Sequence, residues 1–274
     1  MATSLFETGL VSVTFRDRTI YDILGVCAEN ALSEIEIGSD VHAPKEDISG
    51  CEKIKEAAAA RGVKIVSYGT YYRLGEYSDP EKEFDAYLDA ADALGTTNLR
   101  LWAGNGSSRT LVGKVREKLT AEARLLAEKA SERKKTISFE YHGGTLTDDA
   151  DSALRLMRDI GRPNAYLYWQ PSQYLDTDSN VEALRKVLPF VSNIHVFAWD
   201  ARGGELIKFP LSDYAEQWKR YLDILVLDKR KHSLLLEFVK DGSKEQLSAD
   251  AAALNEWTKV YKMLTTAHRK GKDK

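Results

Sequence analysis

The segment "SFEYHGGTLTDD" at 138–149 ends an apolar run on a carboxylate and an imidazole two residues apart, Glu140 and His142. Alternation along an extended chain places both on one face. Similar breaks in apolar runs occur three more times, at Gln170 in "YWQP", His195 in "IHVFAW" and Glu237 in "LLLEFV". A carboxylate or imidazole inside an apolar strand is costly without a partner. For any one of these residues, an ion pair with Lys or Arg, or a satisfied core histidine, is the ordinary explanation. Together they are two carboxylates, an imidazole and an amide oxygen, an O/N set that suits Mn²⁺, Mg²⁺ or Co²⁺ better than a thiolate-seeking metal.

Such a set works only if the fold brings it to one place. Strand-like and helix-like segments alternate through all 274 residues. The spacing predicts strands at 10–15, 34–37, 63–68, 97–103, 136–140, 165–169, 193–198 and 233–239. Helices are predicted at 20–31, 46–60, 81–94, 112–132, 149–160, 180–188, 214–227 and 244–267. Strict alternation implies parallel strands with helical crossovers. Eight such units fit an α/β fold of the closed (β/α)8 TIM-barrel type, one domain spanning 1–274. No Gly-x-Gly-x-x-Gly follows the first strand, which weakens a dinucleotide-binding alternative.

In this fold the active face is where strands end and βα loops begin. The predicted strand ends carry Arg16, Asp40 and His42, Arg73, Arg100 and Trp102, Glu140 and His142, Trp169 and Gln170, His195 and Trp199, and Glu237. His232 falls at the opposite face and His268 in a basic tail, so neither is given a function.

A net charge of −3 argues against a nucleic-acid footprint. No apolar run is long enough to span a membrane, and the N-terminus lacks a secretory pattern. Cys27 and Cys51 form no metal or redox motif, and the expectation is a reduced, cytoplasmic compartment. A homo-oligomer is compatible with the sequence.

"SDVHAP", "YGTYYRLGE", "LRLWAGNGSS", "FEYHGGTLTD", "YWQP", "IHVFAW" and "LLLEFV" together resemble the sugar phosphate isomerase/epimerase family of the xylose isomerase-like barrels. The resemblance covers nearly the whole chain. It implies a divalent cation, Mn²⁺ first with Mg²⁺, Co²⁺ and Zn²⁺ as alternatives, held by Glu140, Gln170, His195 and Glu237. The family pattern has Asp where this chain has Gln170, so the ligand set loses one negative charge. The implied reaction is isomerisation or epimerisation of a small sugar or sugar derivative. The cation polarises a carbonyl and stabilises an enediolate, while Glu140 and Glu237 move the proton. His42, Arg73, Arg100, Trp102, His142, Trp199 and Lys208 are candidate substrate contacts, and Trp169 a further pocket wall. A lyase (dehydratase or C-glycosyl cleavage) on the same site and a non-catalytic sugar-binding relative stay open. A DNA-repair endonuclease would need more His, Asp and Glu and a basic face.

Overall fold

The computed structural model describes residues 4–201 and 203–270, with side chains as far as Tyr261. The basic run at 268–274 lies outside the described side chains. In chain order the elements are β1 (Phe6–Val11), α1 (Ile20–Glu29), β2 (Glu34–Gly38), α2 (Ile48–Ala60), β3 (Lys64–Arg73), α3 (Pro80–Leu94), β4 (Asn98–Trp102) and α4 (Gly113–Glu132). There follow β5 (Thr136–Glu140), α5 (Ala150–Ile160), β6 (Ala165–Trp169), α6 (Thr177–Val187), β7 (Val191–Val196) and a short antiparallel pair, β8 (Trp199–Asp200) and β9 (Ile207–Lys208). The chain then forms α7 (Ala215–Leu225), β10 (His232–Leu236) and α8 (Lys244–Lys270). Eight parallel strands close in the order β1-β10-β7-β6-β5-β4-β3-β2, with helices between them, as the alternation predicts.

Local chemistry starts several helices where they are needed. Thr19, Asp79, Asp149 and Asp176 each accept a backbone N–H of the first turn that would otherwise be unpaired. Asp149 thereby ties the start of α5 to the loop that leaves Glu140.

Two separate cores result. Ile35, Leu99, Ile137, Phe139, Leu167, Ile194 and Leu234 point outward and pack with the helices. Inside the barrel a small apolar group, Val11, Val13, Tyr168 and Leu235, shares the space with polar side chains. Low in the barrel, Ser138 Oγ donates to Asn98 Oδ1 at 2.7 Å and lies 2.9 Å from Ser192 Oγ. Higher up come Glu36, Arg100, His195 and Glu140, all buried. Buried polar groups on these strands all need partners, and here they are mostly one another.

Several boundaries differ from the sequence expectation. The first strand is Phe6–Val11, and the predicted strand residues Ser12–Phe15 form a 3₁₀ turn instead. Register decides this, because Phe6 pairs with His232 and Leu10 with Leu236. The third strand runs on to Arg73, past a register shift after Gly69. The last strand opens on His232 and ends at Leu236, so Glu237 stands just beyond it. Phe238 turns the chain away with φ 48°, and the Trp199 indole N–H donates to its carbonyl at 3.1 Å.

Candidate metal centre

Parity explains which side chains meet. Asn98, Arg100 and Trp102 alternate on β4 with Leu99 and Leu101, which belong to the outer core. The same alternation turns Glu140 inward at the end of β5 and His195 inward on β7. Gln170 follows Trp169, so inward Gln170 means outward Trp169. Trp169 is fully buried against Tyr221 of α7, with ring centroids 5.3 Å apart. The expectation that Trp169 walls the pocket is therefore corrected, since its ring belongs to the helix layer.

Glu140, His195 and Glu237 each present one ligand atom, all within 4.8 Å of one another, and all three residues are buried. Nδ1 of His195 lies 3.7 Å from Glu140 Oε1 and 3.6 Å from Glu237 Oε2. Gln170 Oε1 joins them at 3.1 Å from the same Nδ1. Asp176, the nearest acidic residue after Gln170, caps α6 through Ser179 N–H and is not a substitute ligand.

The structure adds a residue that the strand-end argument passed over. Glu36 on β2 is completely buried, and its Oε1 is 3.7 Å from His195 Nε2. It also accepts a 2.8 Å hydrogen bond from Arg100 Nε. Arg100 Nη1 donates to Glu140 Oε2. A buried chain thus runs from Glu140 through Arg100 and Glu36 to His195. The signal was present in "EIEI", where Glu34 and Glu36 alternate with Ile35 and Ile37. Glu36 was missed because it lies two residues before its strand ends.

The electrostatics show what the group lacks. Burial pushes the Glu36 carboxyl up, but the charges of Arg100 and His195 outweigh it and bring it to about 2. Burial pushes His195 down, yet Glu237, Glu36 and Glu140 raise it above the usual histidine value. Glu237 is raised, first by burial and then by Glu140 and Glu36, against His195 and Arg100. Among the described residues the group holds three carboxylates, Glu36, Glu140 and Glu237, and one guanidinium that pairs with the first two, so two negative charges are in excess when all three are ionised and His195 is neutral. A proton on His195 offsets part of that excess, and a divalent cation would offset all of it. The donor chemistry, two carboxylates, an imidazole nitrogen and an amide oxygen, fits such an ion. Glu36 beside His195 Nε2 matches the usual arrangement in which a carboxylate orients a metal-binding histidine.

The remaining candidates divide. Arg73, Trp102 and His142 form a stack, with the guanidinium 3.8 Å from the Trp102 ring and the two rings 4.4 Å apart. His142 is half-buried in this stack, and its Nδ1 lies 2.6 Å from Gly143 O. Trp199 and Phe238 sit together at 5.6 Å, with the Lys208 ammonium 5.7 and 5.1 Å from their ring centres. His42 is not brought to the donor group. Its nitrogens lie 3.0 Å from Ser12 Oγ and 3.2 Å from Arg18 O, so the β1–α1 loop uses both. A cavity of 510 Å³ opens beside Gln170, lined also by Arg109, Tyr141, Tyr174 and Ser179.

The family model that describes xylose isomerase-like TIM barrels matches residues 25–247. No curated protein matches the sequence. Among solved structures, the chain resembles the probable 3-DHS dehydratase AsbF of Bacillus anthracis, with TM-score 0.77, 18% identity, and 91% of this chain and 98% of that one covered. It resembles the IOLI protein with a bound zinc atom at TM-score 0.73 and 13% identity, covering 93% and 99%. It resembles the 3-keto-D-glucoside 4-epimerase YcjR of E. coli at TM-score 0.68 and 15% identity, covering 93% and 99%. At such identities the likeness establishes the fold.

Proposed function

The chain belongs to the xylose isomerase-like TIM barrel family, and from that premise we propose that it is a divalent-metal-dependent isomerase or epimerase of a sugar or sugar derivative. One observation carries the proposal: Glu140, His195 and Glu237 converge from three strand ends on one buried point that is short of positive charge. The zinc atom bound by IOLI and the 3-keto-D-glucoside 4-epimerase activity of YcjR support it. Mn²⁺ is the first candidate, given a mixed oxygen and nitrogen set.

The bound cation would supply positive charge to an oxygen that becomes anionic as a neighbouring C–H is broken. The chain's own residues then have unequal tasks. Glu140 is tied to Arg100, and protonating it would break a buried ion pair. Among the described residues no Arg or Lys bonds Glu237, which makes it the better carrier of a proton between carbons. Gln170 Oε1, 3.1 Å from His195 Nδ1, would serve beside that nitrogen as a neutral oxygen ligand that adds no charge. The Arg73–Trp102–His142 stack and the Trp199–Phe238–Lys208 group would pack against C–H faces of a sugar and hold water away. A dehydratase reading has one observation in its favour, the likeness to AsbF. It begins with the same proton abstraction and differs in losing water afterwards.

The test couples metal binding to proton exchange. Calorimetry should show Mn²⁺ binding to the wild-type protein and tighter binding to Gln170→Asp. Proton NMR in D₂O, run over a panel of ketoses, aldoses and 3-ketoglucosides, should show loss of one C–H signal. Glu237→Gln should slow that loss by about 10²–10⁴-fold. Absence of binding for Mn²⁺, Mg²⁺, Co²⁺ and Zn²⁺ alike would sink the enzyme reading, and elimination of water in the exchange assay would select the dehydratase.

A further inference from the structure

Glu140 has two carboxylate oxygens, and the structure treats them differently. Oε1 faces His195 Nδ1 at 3.7 Å and belongs to the donor group. Oε2 is taken by Arg100 Nη1. The guanidinium is itself held from behind, because its Nε donates to Glu36 Oε1 at 2.8 Å. A planar fork bonded at two points cannot swing away from Glu140 without breaking the bond to Glu36.

The surrounding chain is shaped for this fork. A Cβ on Gly69 would lie 2.7 Å from Arg100 Nη2 and 2.9 Å from Glu36 Oε1, so β3 has room for the pair only because residue 69 has no side chain. Two residues on, Tyr71 adopts φ 56°, which non-glycine residues rarely do. Its ring centre comes to 5.0 Å from the guanidinium carbon. Strand β3 also shifts register between Gly69 and Arg73 at this level. Arg100 is 2% exposed, with its fork already taken up by Glu36 and Glu140.

We propose that Arg100 is a positioning residue that divides the Glu140 carboxylate, withholding Oε2 and leaving Oε1 alone to the cation, with Glu36 holding Arg100 by a hydrogen bond and standing 3.7 Å from His195 Nε2. Four residues from four strands then move as a unit. The ring explains how a site with Gln170 in place of a carboxylate stays ordered: Glu140 cannot compensate by turning both oxygens to the ion. This inference rests on the metal reading above.

The test uses Co²⁺, whose visible absorption reports the number and arrangement of its ligands, added to the full chain. Arg100→Met removes the fork but keeps similar length, Arg100→Lys keeps the charge without the fork, and Gly69→Ala pushes on the fork from outside. Circular dichroism and thermal melting identify which variants fold. Each folded variant is expected to bind Co²⁺ and to show a band of altered position and intensity, because Glu140 can then offer its second oxygen. Glu36→Gln is expected to weaken binding by about 10–100-fold, as loss of an outer carboxylate usually does. Spectra of the folded Arg100 and Gly69 variants that superimpose on wild type overturn the positioning role while leaving the metal reading intact. If none of those variants folds, Arg100 is a requirement of the barrel core and the proposal also falls. Wild-type protein that binds no Co²⁺ overturns the metal reading itself.

Discussion

Two histidines, His195 and His232, are both buried in neighbouring strands of one barrel, yet their surroundings are opposite in kind. His232 opens β10 at the bottom of the barrel. Its Nδ1 is 2.6 Å from Ser192 O and its Nε2 is 3.1 Å from Asp228 Oδ1. Asp228 is in turn bonded by the backbone and side chain of Arg230. Both ring nitrogens of His232 and both carboxylate oxygens of Asp228 have local partners. His195, higher up on β7, faces three carboxylates at 3.6–3.7 Å, and among the described residues its Nε2 has no hydrogen bond. The lower group is closed and neutralised; the upper group is crowded with acceptors around one imidazole. A histidine that supports the fold has both nitrogens answered, whereas one placed to act leaves an unbalanced charge for something to complete.

That contrast predicts different consequences for the same substitution. The largest effect is expected for His195→Ala. It should weaken Mn²⁺ binding by on the order of 100-fold or more, above the range for losing an outer partner. Calorimetric titration reads this, and binding retained near the wild-type value would erase the distinction between the two histidines.

His232→Ala should act on stability instead. It takes one hydrogen bond each from Asp228 Oδ1 and Ser192 O and opens a cavity, at a cost of about 2–4 kcal/mol. Urea unfolding measures this, and Mn²⁺ affinity should stay within about twofold, since losses at distant, independent sites do not couple.

The smallest effect sharpens the lower half of the comparison. Burial pushes the Asp228 carboxyl up, but hydrogen bonds from His232 and the Arg230 amide, the charge of His232 and the Arg230 side-chain bond lower it to about 2. A lowered carboxyl value gives stability that is present above the unfolded value, near 4, and is lost as pH falls toward 2. Asp228→Asn should therefore flatten the acid limb of a stability–pH curve over that window, by about 1 kcal/mol after allowance for solvent screening. Parallel acid limbs for variant and wild type would show that Asp228 is not held by its neighbours.

The barrel was legible because its inner and outer faces differ in polarity. In "TISFE", "LRLWA" and "EIEI" the outward residues are apolar and the inward ones polar, so period-two reading reveals both the strand and its site face. Glu140, His195 and Glu237 stood out as charges or imidazoles that end otherwise apolar strands. Glu36 carried the same parity signal but looked like an ordinary charged residue, and Arg100 looked like a substrate contact rather than the partner of Glu36 and Glu140, because a buried ion pair and a free charge have identical letters. Trp169 was misplaced by treating a strand end as a single point, when adjacent residues there face opposite layers. His42 sits after a strand end as expected, yet the β1–α1 loop closes over both its nitrogens, and no local pattern announces a loop path.

The sequence by itself determined the eight alternating units, the active face and the identities of the residues that end the strands, because those follow from local periodicity and from the rule that parallel strands share one direction. Tertiary structure alone decided that Glu36, Arg100, Glu140 and His195 form one buried chain, that Glu140 divides its oxygens, and that Glu237 has no Arg or Lys bonded to it among the described residues. The strands that carry Glu36 and Glu140 are more than 100 residues apart in the chain and not adjacent in the barrel. Their meeting depends on closure and register, which set the height of each side chain to within a few ångströms and which no short stretch of sequence encodes.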